Sequence, residues 1–271
     1  MNGALIRRTV RETWALLAVA VAGVVVFEVL FAVAIEHSIE GMHLTVDRIP
    51  AFARRFLAVL AGTEVEPYLT PNGMMAVGFS HPIVHAILWG FAIATSTRVM
   101  AGEIDRGTAD LLLSLPVRRG ALYSSVSLVV AGSGAVLGLS MWAGAALAEY
   151  GFGRGPFALA RLTVVSINLF AVYVAVSGGA LLISAASTRR GAAVGWCVGA
   201  LLASFVLNFL AAFWPPAQRV AFLGVLEYYR PLPIVVRGEW PVADVAVLAG
   251  AGLAAWAAGG IVFTRRDIRV V

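Results

Sequence analysis

Residues 162–186 read LTVVSINLFAVYVAVSGGALLISAA, a run without a single charged side chain. A helix needs roughly 20 apolar residues to cross a bilayer, and this run is too long for a strand and shows no period of two. Five more stretches of the same kind fall at 14–35, 73–97, 122–147, 191–213 and 245–263. The one at 73–97 is interrupted by His81, Pro82 and His85, which leaves a start near Pro82 as the alternative. Arg7, Arg8 and Arg11 precede the first stretch as in a signal peptide, but its apolar run is too long for one, so a retained helix is expected. The expected fold is an all-α polytopic membrane protein, a single transmembrane domain over residues 1–271 with six spans.

Composition agrees. Of the 271 residues 60% are hydrophobic and 13% charged, against about 25% charged in soluble domains. All 20 basic residues are Arg; without Lys neither a P-loop nor a Schiff-base lysine exists. No G-x-S-x-G or H-E-x-x-H occurs, and Gly151 to Gly155 is only a glycine-rich turn, so the chain is not expected to be an enzyme. The lone Cys197 permits no internal disulfide and reads as a small buried hydrophobe. The net charge of +5 does not point to nucleic acid, because the Arg residues gather at helix ends instead of forming one stripe.

An even number of spans puts both termini on one side. That side carries 12 Arg (7, 8, 11, 98, 106, 118, 119, 189, 190, 265, 266, 269) and the other eight, while the acids run five to nine the opposite way. By the positive-inside rule both termini are expected in the cytoplasm, with a bacterial or archaeal inner membrane as the setting. Segments 36–72 and 214–244 then lie outside. In the first, Phe52, Phe56, Leu57 and Leu60 recur at helical spacing opposite Arg54 and Arg55, the pattern of an interfacial helix. In the second, Trp214, Tyr228, Tyr229 and Trp240 suit an aromatic belt. Gly134 with Gly138, and Gly191 with Gly195 and Gly199, recur every four residues; such faces serve packing within the chain or a dimer contact.

Residues 102–119, GEIDRGTADLLLSLPVRR, join the second and third spans. At 100° per residue Ile104, Thr108, Leu111, Leu112 and Leu115 share one arc, and Glu103, Arg106 and Asp110 the opposite one. Pro116 ends this helix, expected over 103–115, and Arg118 with Arg119 marks re-entry. The pattern alone fits an interfacial linker as well as a docking element.

The spacing Glu103, Arg106-Gly107-Thr108, Leu111-Leu112, Pro116, Arg118-Arg119 resembles the signature of ABC-2 type permeases. The basic first helix, the long outer loop, the six spans and the closing Arg265-Arg266-Asp267 are similar to that family too. One departure is Leu122-Tyr123-Ser124-Ser125, where members often carry Gly-Lys. The resemblance implies an exporter of amphiphilic, drug-like or lipid-like substrate. In it two permease subunits, expected here as a homodimer, pair in the membrane above two ATPase subunits, which use ATP and Mg; no cofactor is expected on this chain. The helix after the second span would be a coupling helix, with Glu103, Arg106, Gly107, Thr108 and Asp110 towards the ATPase and Leu111, Leu112, Pro116, Arg118 and Arg119 completing the interface. Glu103 and Arg106 are expected as surface charges whose loss uncouples without unfolding.

Glu28 lies mid-span, where a carboxylate is costly. It pairs with His85, stays protonated, or serves a translocation path or proton coupling. His81 and His85, four apart, could share a helix face for a metal but lack an assigned third ligand, so helix-end contacts are expected and no metal. Asn208 reads as an interhelical hydrogen bond or a path residue. With Glu28 and His85 it defines the candidate path, and a membrane-embedded enzyme or an ion-coupled transporter using Glu28, His81 and His85 is the alternative function.

Overall fold

The computed structural model describes residues 3–46, 70–107 and 117–266, with side chains for all of these but 36–46 and Val99. Among the described residues there are helices and no strands. The helices are α1 (Gly3–Val46), α2 (Pro71–Phe79), α3 (Pro82–Val99), α4 (Ala101–Asp105), α5 (Arg119–Phe152), α6 (Leu159–Ala186), α7 (Arg190–Ala211), α8 (Pro215–Gln218), α9 (Pro231–Arg237) and α10 (Val242–Arg265). Among the described residues six helices are long and apolar enough to cross a membrane, at the six apolar runs, and the chain is a multi-pass helical membrane protein.

Two boundaries differ from expectation. Helix α1 has 44 residues, about 66 Å at 1.5 Å each, so the span 14–35 is the middle of a longer rod and the segment expected outside from 36 begins as helix. The second span is broken. Thr70 caps α2, its hydroxyl accepting from Gly73 N at 3.0 Å, and α2 ends at Phe79. Then His81 caps α3, its Nδ1 accepting from Ile83 N at 3.3 Å, with Pro82 at the first helical position, where its missing N–H leaves no bond unmade. The expected interfacial helix of Phe52, Phe56, Leu57 and Leu60 lies outside the described residues.

Helix α6 is the centre. It packs against α10, α5, α3, α7 and α9, while α1 lies on α5, α2 and α3. In the apolar window of α6 61% of residues are buried, against 11% in α7, which makes α7 the peripheral span. Several serine and threonine hydroxyls inside the bundle return to their own helix, as Thr97 does to the Ile93 carbonyl at 2.8 Å and Ser133 to that of Val129 at 2.8 Å. Apolar surroundings supply no water for them.

The two glycine stripes have different fates. A Cβ on Gly134 would run into the Tyr173 ring, and one on Gly138 would touch the Ser166 carbonyl oxygen at 3.5 Å, so this stripe seats α5 on α6. Around Gly191, Gly195 and Gly199 a Cβ would meet nothing within 4 Å. A closer contact joins α6 to α10: Gly252 lies where a Cβ would sit 2.6 Å from the Val174 carbonyl oxygen. Cys197 is buried, as its setting implied.

Segment 214–244 is not a simple outer loop. It holds α8, two 3₁₀ turns (Ala221–Leu223, Val225–Tyr228) and α9. Trp214 and Trp240 are exposed, as an aromatic belt requires, but Tyr229 is buried and donates to the Phe79 carbonyl at 3.0 Å, closing the break between α2 and α3. Arg161 fastens α9 by donating to the carbonyls of Val235 (2.6 Å) and Val236 (2.9 Å).

Candidate functional site

Two places concentrate polar chemistry, one at the helix-α4 end and one inside the bundle. At the first, Met100 turns the chain from α3 into the short α4, and Ala101 N donates to Ser184 Oγ at 3.3 Å. Glu103 then points inward. It is 7% exposed and accepts from Arg106 at 2.8 Å and Arg8 at 3.4 Å. Arg8 also pairs with Glu12 at 2.8 Å, and Glu12 with Arg98 at 3.7 Å. On the other side Asp105 accepts from Arg190 N at 3.4 Å, at the start of α7. This short helix is therefore tied to α1, α3, α6 and α7.

These facts correct the expected wheel. Glu103 is no surface charge, and one helix over 103–115 is not what forms: α4 ends at Asp105, Arg106 caps it, and Gly107 takes φ 69°, a left-handed conformation that glycine accepts without strain. Asp105 and Arg106 are the exposed pair. Thr108, Asp110, Leu111, Leu112, Leu115 and Pro116 lie outside the described residues. Arg118 stands at the N-cap position of α5 without a side-chain cap bond and is exposed, and Arg119 donates to the Arg266 carbonyl at 2.6 Å. Arg266 in turn donates to the carbonyls of Ala185 (3.0 Å) and Ser187 (3.1 Å), so the α10 end is bound to the α6 end.

Inside the bundle Glu28 is fully buried, and neither carboxyl oxygen has a hydrogen-bond partner. The expected pairing with His85 is not formed: His85 is buried and its Nδ1 is also without a partner. The stem of Glu28 lies in a notch left by Gly144, where a Cβ would sit 2.7 Å from the Glu28 Cβ, and its Oε1 lies near Gly78. Tyr229, close enough to feel the Glu28 charge, stands edge-on to His85 (centroids 5.4 Å), which lies against Trp89 (4.9 Å), and Phe27 lies against His81 (5.0 Å). Trp89 Nε1 is another buried donor without a partner. Burial, with the Glu28 carboxylate adding to it, pushes the Tyr229 phenol well above its ordinary value, so it stays a donor.

Asn208 does not join this set. It is half-buried and donates to Glu227 at 3.2 Å, within the segment that follows its own helix, with no hydrogen bond to Glu28 or His85. His81 and His85 share no ligating face, since one caps a helix and the other is buried within it. Among the described residues no group of three metal-ligating side chains occurs.

Sequence reasoning missed Tyr229, Trp89, Gly144 and Arg8. Two of these carry a sequence signal of another kind, Arg8 as one of the basic residues opening the chain and Tyr229 as a member of the aromatic belt. A buried carboxyl without partners costs about 1–3 kcal/mol. Glu28→Met, apolar and of similar length, is therefore expected to raise stability by about that amount in a detergent thermal melt; a lower melting temperature would mean that the carboxyl holds the bundle together. No family model matches the chain, and neither a curated protein nor a solved structure matches it.

Proposed function

We propose that this chain is the membrane-spanning permease subunit of an ATP-binding cassette exporter, driven by a separate ATPase that docks at the α4 end. The observation that carries this reading is the anchorage of α4, which bears the first part of the ABC-2-like signature. Through Glu103, Asp105 and Ala101 it is bonded to α1, α7 and α6, and it follows directly on α3. A push on so short a helix moves the ends of four spans together, which is what a lever between motor and bundle requires. Asp105 and Arg106 stay exposed for the partner. The charge asymmetry supports a cytoplasmic position for this end.

Two such chains would form the pathway, and the unfilled face of Gly191, Gly195 and Gly199 on the peripheral α7 is the surface we assign to the second copy. The cargo is an amphiphile, drug-like or lipid-like, and ATP with Mg belongs to the motor. A second reading, an ion-coupled transporter working through Glu28, is favoured by the two partnerless carboxyl oxygens.

Coexpression with a candidate ATPase that carries Walker motifs tests the first reading. The two are expected to copurify, and Arg106→Glu, which reverses an exposed charge, is expected to reduce the recovered ATPase several-fold. Failure to copurify, together with proton-dependent transport by the chain alone that Glu28→Gln abolishes, would establish the second reading instead.

A further inference from the structure

A groove runs between α5, α6 and α10, starting at the end of the bundle that carries Arg118 and Arg119. Its inner part encloses about 380 Å³ between Leu128, Ala131, Leu181, Gly252, Leu253 and Trp256. Its mouth is formed by Arg118, Arg119, Gly120, Ser124 and Thr264. Ser124 lines both parts, so mouth and inner part adjoin along α5. Leu128 is 47% and Leu253 57% exposed, so the trough opens sideways towards the surroundings of the bundle.

We propose that this trough holds one anionic phospholipid, with its phosphate on Arg118 and Arg119 and one acyl chain laid between α5, α6 and α10. Depth is the first argument. From Arg119 to Ala131 helix α5 rises about 18 Å, close to half of the roughly 30 Å hydrocarbon core, so arginines at the phosphate layer put the apolar part within a single leaflet. Charge is the second. Among the described residues no Asp or Glu lines either part, so a positively charged choline meets no partner among them, whereas guanidinium groups suit phosphate oxygens. Arg118 has no acidic partner among the described residues, and Arg119, with one N–H on the Arg266 carbonyl, keeps others free. At the same mouth no side chain caps the start of α5, which leaves first-turn N–H groups open to an anion. The inference uses no motor and stands apart from the permease reading.

The full chain in detergent, mixed with phosphatidylglycerol, with phosphatidylcholine of the same acyl chains, or with water-soluble glycerol phosphate, tests this by native mass spectrometry. Phosphatidylglycerol is expected to be retained at one copy per chain, well above phosphatidylcholine. Arg118→Gln is expected to weaken it about fivefold, the usual share of one interfacial arginine. Ala131→Trp, which fills the trough without changing charge, should weaken it at least as much, while Leu202→Trp on the exposed face of α7 should not. Equal retention of the two lipids would overturn the proposal. So would glycerol phosphate displacing the lipid at equal concentration, or an Ala131→Trp variant that binds normally; either would mean a plain anion site.

Discussion

Gly252→Ala is expected to cost about 3 kcal/mol, the upper end for volume added to a packed interior, and Gly250→Ala to cost nothing measurable. The two positions lie two residues apart in α10 and so on nearly opposite faces: a Cβ at Gly252 would sit 2.6 Å from the Val174 carbonyl oxygen, 2.7 Å from its carbon and 2.9 Å from Ala175 N. All three are backbone atoms of α6, which cannot swing aside as a side chain can. At Gly250 a Cβ meets nothing within 4 Å. Helix propensity favours alanine by about 1 kcal/mol at either place, so the difference between the variants isolates the helix contact. Thermal unfolding in detergent measures it. If both variants melt alike, α6 and α10 do not meet at these glycines.

Glu103→Ala is expected to destabilise the chain by about 2 kcal/mol, because it removes a buried carboxylate that accepts from both Arg106 and Arg8. Arg106→Ala should cost less than about 1 kcal/mol, since its side chain is half exposed and water replaces the lost bond. For Glu103 this departs from the sequence-based expectation of a surface charge whose loss leaves the fold intact; for Arg106 it agrees. Limited proteolysis near the N-terminus gives a second readout: Glu103→Ala should free α1 from α4 and speed cleavage there, whereas Arg106→Ala should not. Equal, small effects would mean that the Arg8–Glu103 contact does not hold these helices together.

The spans were legible because lipid solvation demands about 20 apolar residues in a row, a requirement local to each stretch. Pro82 likewise announced the break that His81 caps. What sequence could not provide were contacts between distant stretches. The wheel drawn over 103–115 placed Glu103 outside because it assumed one helix running through Gly107, and because nothing local reveals that Arg8 arrives from α1. The Gly191 stripe and the Gly134 stripe look the same in sequence; only the neighbours of each helix separate the packed one from the unfilled one. Glu28 stood out as costly, but its surroundings come from α2, α3, α5 and the segment around Tyr229, so the missing pairing with His85 had no sequence signal.

A photoreactive amino acid at position 105, on the exposed edge of α4 beside the anchored Glu103, tests the central claim most directly in intact cells. The account predicts one dominant crosslinked product joining this chain to a polypeptide that carries Walker motifs. Products with lipid or with proteins lacking such motifs, and none with an ATPase, would contradict it.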